Sequence, residues 1–248
     1  MKKRIDLLLV ETGHCPTQEK AQGFILAGLV LAGNQKIATV GHLVPEDVVI
    51  RILGKGHPYV GRGGLKLEKA LREFAIPATD RVALDIGAST GGFTDCLLQR
   101  GAKQVYAIDV GHGLLDWKLR SDSRVIVVER TNARHLAATT LYKINAPWAT
   151  LAVIDVSFIS LTMILPAVKS LLTPESRDII ALVKPQFEAK REQVEKGGLV
   201  KDPAIHREVL DKISAAGESL GMAVNGEIES PITGAEGNKE FLLWLRNR

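Results

Sequence analysis

The sequence predicts an α/β chain: a doubly wound domain whose parallel sheet ends in an antiparallel hairpin, preceded by a small α+β unit. Three observations carry this. From residue 82 onward, short apolar runs alternate with helix-spaced segments through five β/α units. The last two runs, 224–229 and 240–245, are joined by a glycine-containing loop and should pair antiparallel, giving seven strands. Residues 4–52 hold shorter elements with their own turn signals.

The doubly wound part is organised around residues 81–94, RVALDIGASTGGFT. An apolar run ends in Asp85, a glycine-dense loop follows, and an amphipathic helix starts at Phe93. Glycine lets the backbone approach a ligand where side chains would collide, and free amides at a helix start favour a carboxylate-bearing group. Asp85, Gly87, Ala88, Ser89, Thr90, Gly91, Gly92 and Phe93 are therefore candidates for holding a cofactor. Ser89 stands where a dinucleotide fingerprint wants glycine, and the lack of a following Gly-Lys-Ser/Thr argues against a P-loop. The next run, 105–108, ends in Asp109, at the spacing where an acid takes ribose hydroxyls. NAD and S-adenosylmethionine both suit that geometry, and so does an ordinary tight turn in a βαβ unit.

Composition sets the outer limits. The 248 residues are enough for one large domain or a medium domain with an appendage. With 46% hydrophobic and 24% charged residues, the chain has the make-up of a globular protein. The net charge of +4 leans mildly towards polyanionic partners. Cys15 and Cys96 are far apart, the six histidines have no ligand spacing, and no metal is expected. The basic start precedes only four apolar residues, and the longest apolar run, 24–33, is too short to span a bilayer. A cytoplasmic location is the expectation, and nothing in the sequence calls for more than a monomer.

In chain order, Ile5, Leu8 and Leu9 suggest a first short helix ended by Gly13, and 18–27 reads as a second, capped by Thr17. Strands follow at 29–31, 36–38 and 48–52. The unit resembles an S4 RNA-binding domain through Arg4-Ile5-Asp6, Leu9, Gly13, Thr17, Ala21, Ile25, Gly28, Val30, Gly33, Asp47 and Val49. It departs at Gln18, where such domains usually carry a basic residue; Lys20 is the nearest substitute. The expected division is an S4-like domain over 1–53, a basic glycine-rich linker over 54–63 and the larger domain over 64–248. Arg4 and Lys20, with Lys55, Arg62 and Lys69 in the basic seam beyond, are the candidates for RNA phosphate contacts.

A helix is predicted over 65–74 and strands over 124–129, 149–156 and 179–183. Asn132, after the first of these strands, is a candidate contact for the adenine end of a cofactor. Asp155 ends the second strand and Lys184 follows the third; the polar segment 188–202 reads as a mobile lid. A ligand belongs at the carboxyl ends of these strands. Lys66 (or Lys69), Asp155, Lys184 and Glu240 can reach that edge, with Asp155 also beside the cofactor.

Two lysines and two carboxylates beside an adenosyl site suit methylation of a hydroxyl. Lys184 fits a general base oriented by Asp155, with Lys66 placed to depress its proton affinity and Glu240 to hold the network. Amine methylation usually carries Asn/Asp-Pro-Pro-aromatic where this chain has Asp155-Val156-Ser157-Phe158, and neither cysteine sits in a loop suited to base methylation. Asp155 as a plain helix cap and Lys184 as plain surface remain open on spacing alone.

Tyr59 to Leu67, Asp85 to Phe93, Asp155 to Leu161, Lys184-Pro185-Gln186-Phe187-Glu188 and Gly237-Asn238 before Glu240-Phe241 together resemble one family. It is the hemolysin-A (TlyA-type) RNA methyltransferases, an S4 domain joined to an FtsJ-like class I methyltransferase domain of Rossmann-like fold. The resemblance implies S-adenosylmethionine-dependent 2′-O-methylation of ribosomal RNA, at cytidine. It also implies a Lys-Asp-Lys-Glu tetrad falling on Lys66, Asp155, Lys184 and Glu240, which selects Lys66 over Lys69. A non-catalytic RNA-binding or ribosome-assembly factor is the alternative. A membrane-active hemolysin fits less well, for want of an export signal or spanning segment.

Overall fold

A computed structural model describes residues 2–15, 17–26, 28–52, 57–175, 177–234 and 237–247. The chain divides into two compact units, one up to Pro58 and one from Tyr59.

The first unit holds β1 (Lys2–Arg4), α1 (Ile5–Glu11), α2 (Gln18–Leu26), β2 (Val30–Ala32), β3 (Gln35–Ile37), β4 (Leu43–Pro45) and β5 (Ile50–Ile52). The strands form two small sheets, β1–β4 and β3–β2–β5, both antiparallel. The β1–β4 pair escaped the sequence reading because each strand is three residues long, too short to show alternation. Ile5, Leu8 and Leu9 of α1 pack with Ala21 and Ile25 of α2 and with Val30, Ile37, Val44 and Ile50 of the strands. Gly13 follows α1 with φ 68°, the left-handed turn expected there.

The second unit begins with α3 (Gly63–Glu73), followed by β6 (Val82–Ile86), α4 (Gly92–Gln99), β7 (Gln104–Ile108), α5 (Trp117–Arg120) and β8 (Val125–Val128). Then come α6 (Ala138–Leu141), β9 (Leu151–Ile154), α7 (Leu161–Ser170), β10 (Asp178–Val183), α8 (Pro185–Glu188), α9 (Pro203–Ser219), β11 (Met222–Glu229) and β12 (Phe241–Asn247). Seven strands form one sheet in the order β11-β12-β10-β9-β6-β7-β8. β6 pairs in parallel with both β7 and β9, which places the chain reversal of the doubly wound pattern at its carboxyl end. β12 pairs antiparallel with β10 and β11, so its first residue lies at the same sheet edge as the carboxyl end of β10.

Alternation along β6 builds two layers. Val82, Leu84 and Ile86 pack with α7 and α9, while Ala83 faces the α3 and α4 side. Each fully buried leucine or isoleucine contributes about 1.5–3 kcal/mol of transfer free energy. Asp85 lies between Leu84 and Ile86 in this alternation and is fully buried.

Two boundaries differ from expectation. Helix α3 starts at Gly63, because Gly61, Gly63 and Gly64 let that turn press against α4 and Tyr59: a Cβ at Gly64 would overlap the Tyr59 side chain. Residues 59–63 accordingly fold with the second unit. The segment 188–202 starts at the last residue of α8, contains a short 3₁₀ turn, Arg191–Gln193, and is pinned near its end by Asn238. Asn238 Oδ1 accepts from Val200 N at 3.0 Å, and its Nδ2 donates to Gly198 O at 2.9 Å.

Candidate active site

The glycine-rich loop after β6 takes the shape its composition requires. Gly91 precedes α4 with φ 96°, and its hydrogen atom faces Leu115 and Leu119, so a side chain has neither the dihedral nor the room. Gly87, at φ 86°, lies against the backbone carbonyl of Asp155, so the loops after β6 and β9 are in direct contact. Asp85 Oδ2 accepts from Thr94 Oγ1 at 2.6 Å, while Oδ1 is buried with no hydrogen-bond partner among the described residues. Burial is the main cause that raises its carboxyl to about 7.

Two cavities meet over this loop and share Gly87, Ser89 and Asp155. The smaller, about 200 Å³, is lined by Gly61, Arg62, Gly63, Lys66, Ala88, Thr90, Gly92 and Phe93 besides these three. The larger, about 510 Å³, adds apolar walls from Ile86, Ile108, Val110, Leu114 and Ile164, with Asp109 and Asn132 at its polar end. Asp109 Oδ2 accepts from Ser89 N at 2.8 Å and Oδ1 from Gly111 N at 2.7 Å. Each oxygen keeps a further lone pair, enough for ribose hydroxyls. Asn132 Oδ1 caps the 3₁₀ turn Ala133–His135 through Arg134 N at 3.0 Å. An apolar slot with a carboxylate at one end and a glycine-walled pocket at the other, on the loop that follows the orphaned Asp85 acceptor, fit an adenosyl ligand that ends in an amino acid.

The candidate catalytic residues form two ion pairs. Lys66, from α3, lies 2.5 Å from Glu240, just before β12, and both are buried. Lys184, just after β10, lies 2.6 Å from Asp155 Oδ1, just after β9. That approach is off the axis of a hydrogen bond, since Asp155 Oδ1 has no aligned donor among the described residues. Lys184 Nζ donates instead to Ser157 Oγ at 2.9 Å and lies 6.0 Å from the centre of the Phe187 ring. Lys66 and Asp155 line the same cavity, which links the two pairs. Glu240 matches the charge of Lys66 in place. Among the described residues no group of three or more His, Cys, Asp or Glu side chains could hold a metal ion.

Sequence reasoning missed the surroundings of Lys184. Phe158 lies next to Ser157 with φ 64° and is 91% exposed, an unusual state for an aromatic residue, and its ring meets Phe187 at 5.0 Å. The apolar pair around Lys184 was the available signal: Phe158 and Phe187 lie in the same two motifs as Asp155 and Lys184.

The candidate phosphate contacts fare differently. Arg4 is committed to Asp6, with Nε and Nη2 donating to its two carboxylate oxygens at 3.1 and 2.8 Å. Gln18, the departure noted in the sequence, donates to the same carboxylate at 2.9 Å, as does Gln22 at 3.3 Å. Lys20 and Arg62 are exposed, and Lys69 Nζ donates to Glu229 O at 2.9 Å. Lys55 lies outside the described residues.

A glycine-rich loop after the first strand of the larger sheet, a cofactor-shaped cavity at the sheet's carboxyl edge and an antiparallel last strand define a class I methyltransferase. Residues 59–247 match the FtsJ-like methyltransferase family, and the chain belongs to it; its methyl donor is S-adenosylmethionine. The chain is 50% identical over 244 residues to the "Putative rRNA methyltransferase YqxC" of Bacillus subtilis, covering 98% of this chain and 85% of that one. It is 40% identical over 248 residues to the "16S/23S rRNA (cytidine-2'-O)-methyltransferase TlyA" of Mycobacterium tuberculosis, covering 100% of this chain and 91% of that one. The solved structure named "Putative hemolysin from Streptococcus thermophilus" matches with a TM-score of 0.77 at 43% identity, covering 99% of this chain and 88% of that one. Among the described residues of this chain, no helix is long and apolar enough to cross a membrane.

Proposed function

We propose that the protein methylates a ribose 2′-hydroxyl of ribosomal RNA, at a cytidine, with Lys184 as general base, acting in the cytoplasm. One observation carries the reading: the Lys184–Asp155 pair stands at the edge of the cofactor cavity, whose other wall presents Lys66 backed by Glu240. Bound there, S-adenosylmethionine supplies an electrophilic methyl group. Asp85, Gly87, Ser89 and Thr90 would hold its amino-acid end, and Asp109 and Asn132 its nucleoside. As an amine, Lys184 Nζ takes the hydroxyl proton, and Asp155 pairs the ammonium that results. Lys66 lies where it can hold the ribose oxygens by hydrogen bonds, its position fixed by Glu240. Alignment does the rest, because an in-line transfer needs donor, carbon and acceptor nearly collinear.

The relatives named as rRNA methyltransferases support the substrate class. We take residues up to Pro58 as an S4-like RNA-binding domain, with Lys20 and, in the second unit, exposed Arg62 as phosphate contacts. The test is transfer of labelled methyl to purified ribosomal subunits by the native protein and by Lys184→Ala. Ribose-borne label that disappears in the variant, with cofactor binding retained, supports the reading. Retained transfer by the variant overturns the base assignment, and absent transfer by the native protein overturns the substrate.

A further inference from the structure

We propose that Ser157 is a positioning residue that sets the direction of the Lys184 lone pair; the proposal rests on Lys184 being the base. An amine is a useful base only when its one lone pair faces the proton it removes. Around Nζ, Cε occupies one tetrahedral position and three remain. The ion pair to Asp155 at 2.6 Å has no aligned N–H, so it constrains the direction of Nζ less than an aligned hydrogen bond does. The aligned hydrogen bond that Lys184 makes runs to Ser157 Oγ at 2.9 Å. That bond fixes one N–H. With a second N–H drawn to Asp155, the lone pair is left the fourth position.

The surroundings give the hydroxyl this role rather than a loose surface contact. Ser157 lines the larger cavity together with Asp155, so the residue belongs to the wall a ligand would meet. Phe187 lies over the ammonium at 6.0 Å and offers no hydrogen-bond acceptor. Lys66 and Glu240, the other two candidate catalytic residues, are engaged with each other. The backbone holds Ser157 in place: Gly87 abuts the Asp155 carbonyl on one side, and Ser160 caps α7 on the other. In the step itself, the substrate O–H bond breaks and its electron pair stays on oxygen. The proton forms the third N–H of Lys184, and Ser157 is unchanged.

The experiment compares the native protein with Ser157→Ala, Ser157→Thr and Lys184→Ala, measuring kcat and both KM values on ribosomal subunits. Calorimetric binding of S-adenosylhomocysteine and thermal unfolding complete the set. Ser157→Ala should lower kcat by about tenfold, the equivalent of one hydrogen bond. KM, product affinity and melting temperature should stay near native values, and Ser157→Thr, which restores the hydroxyl, should recover most of the rate. Unchanged kcat in Ser157→Ala while Lys184→Ala is dead overturns the positioning role and leaves the base intact. A rise in KM or loss of product affinity at unchanged kcat makes Ser157 a binding residue instead, and failure of threonine to rescue marks the effect as structural. If Lys184→Ala keeps its rate, the base reading itself falls.

Discussion

Lys66 and Glu240, 174 positions apart in sequence, meet 2.5 Å apart where water is nearly excluded. Such a pair is costly to break from one side only, because the remaining charge stays buried without compensation. Glu240→Ala should therefore destabilise the protein by about 3–5 kcal/mol and abolish methyl transfer. Glu240→Gln, which keeps a hydrogen-bond acceptor for Lys66, should be milder in stability and still poor in rate. Chemical denaturation alongside methyl-transfer assays checks both, and equal stability of the two variants would contradict the argument.

Gly234 supplies the room for that carboxylate. A methyl group at its Cα would overlap Glu240 Oε1. Gly234→Ala is expected to push Glu240 off Lys66 and cut kcat by at least tenfold, with cofactor affinity largely retained, since neither Gly234 nor Glu240 lines the cofactor cavity. A crystal structure of the variant with the Lys66–Glu240 pair intact would refute this.

Asp85 gives a pH dependence. Its folded carboxyl sits near 7 against an ordinary 3.8, mainly through burial. The folded state thus binds the proton more tightly than the unfolded chain, and the associated stability, full below about pH 4, is lost as pH rises through about 7. Asp85→Asn removes the term while an amide oxygen can still accept from Thr94. The variant should gain melting temperature relative to the native protein between pH 5 and pH 8. A constant difference across that range would show that Asp85 does not titrate there.

Asp6 works in the opposite sense. The Arg4 guanidinium, with Gln18 and Gln22, holds its carboxyl well below the usual carboxylate range, against the opposing effect of burial. Its contribution is fully present above about pH 4 and lost as pH falls towards the folded value. Asp6→Ala should destabilise the first unit at neutral pH, and the loss relative to native should shrink in strong acid. Arg4→Ala should do the same, and its effect on RNA binding should follow its effect on folding. A specific loss of RNA affinity in a fully folded Arg4→Ala protein would restore Arg4 as a phosphate contact.

The legibility of this molecule from its residues was uneven for physical reasons. Strand β6, its loop and α4 were readable because apolar alternation and glycines at a turn are local signals. Lys66 and Glu240 are far apart in sequence, and spacing alone could not choose Lys66 over Lys69; the structure shows Lys69 turned to the Glu229 carbonyl instead. Gln18 looked like a missing cation, and its partner Asp6, twelve residues earlier, explains it only in three dimensions. Residues 188–202 looked mobile because they are polar, but the acceptor and donor that hold them come from a side chain 38 to 40 positions later.

Asn238 has one more effect. Its side chain is stitched to Gly198 and Val200, and its own carbonyl accepts from Gly234 N at 2.9 Å. Two residues on lies Glu240. One side chain thus ties the polar stretch at 198–200 to the backbone two residues before the partner of Lys66, so the segment that reads as a loose lid and the buried ion pair share an anchor.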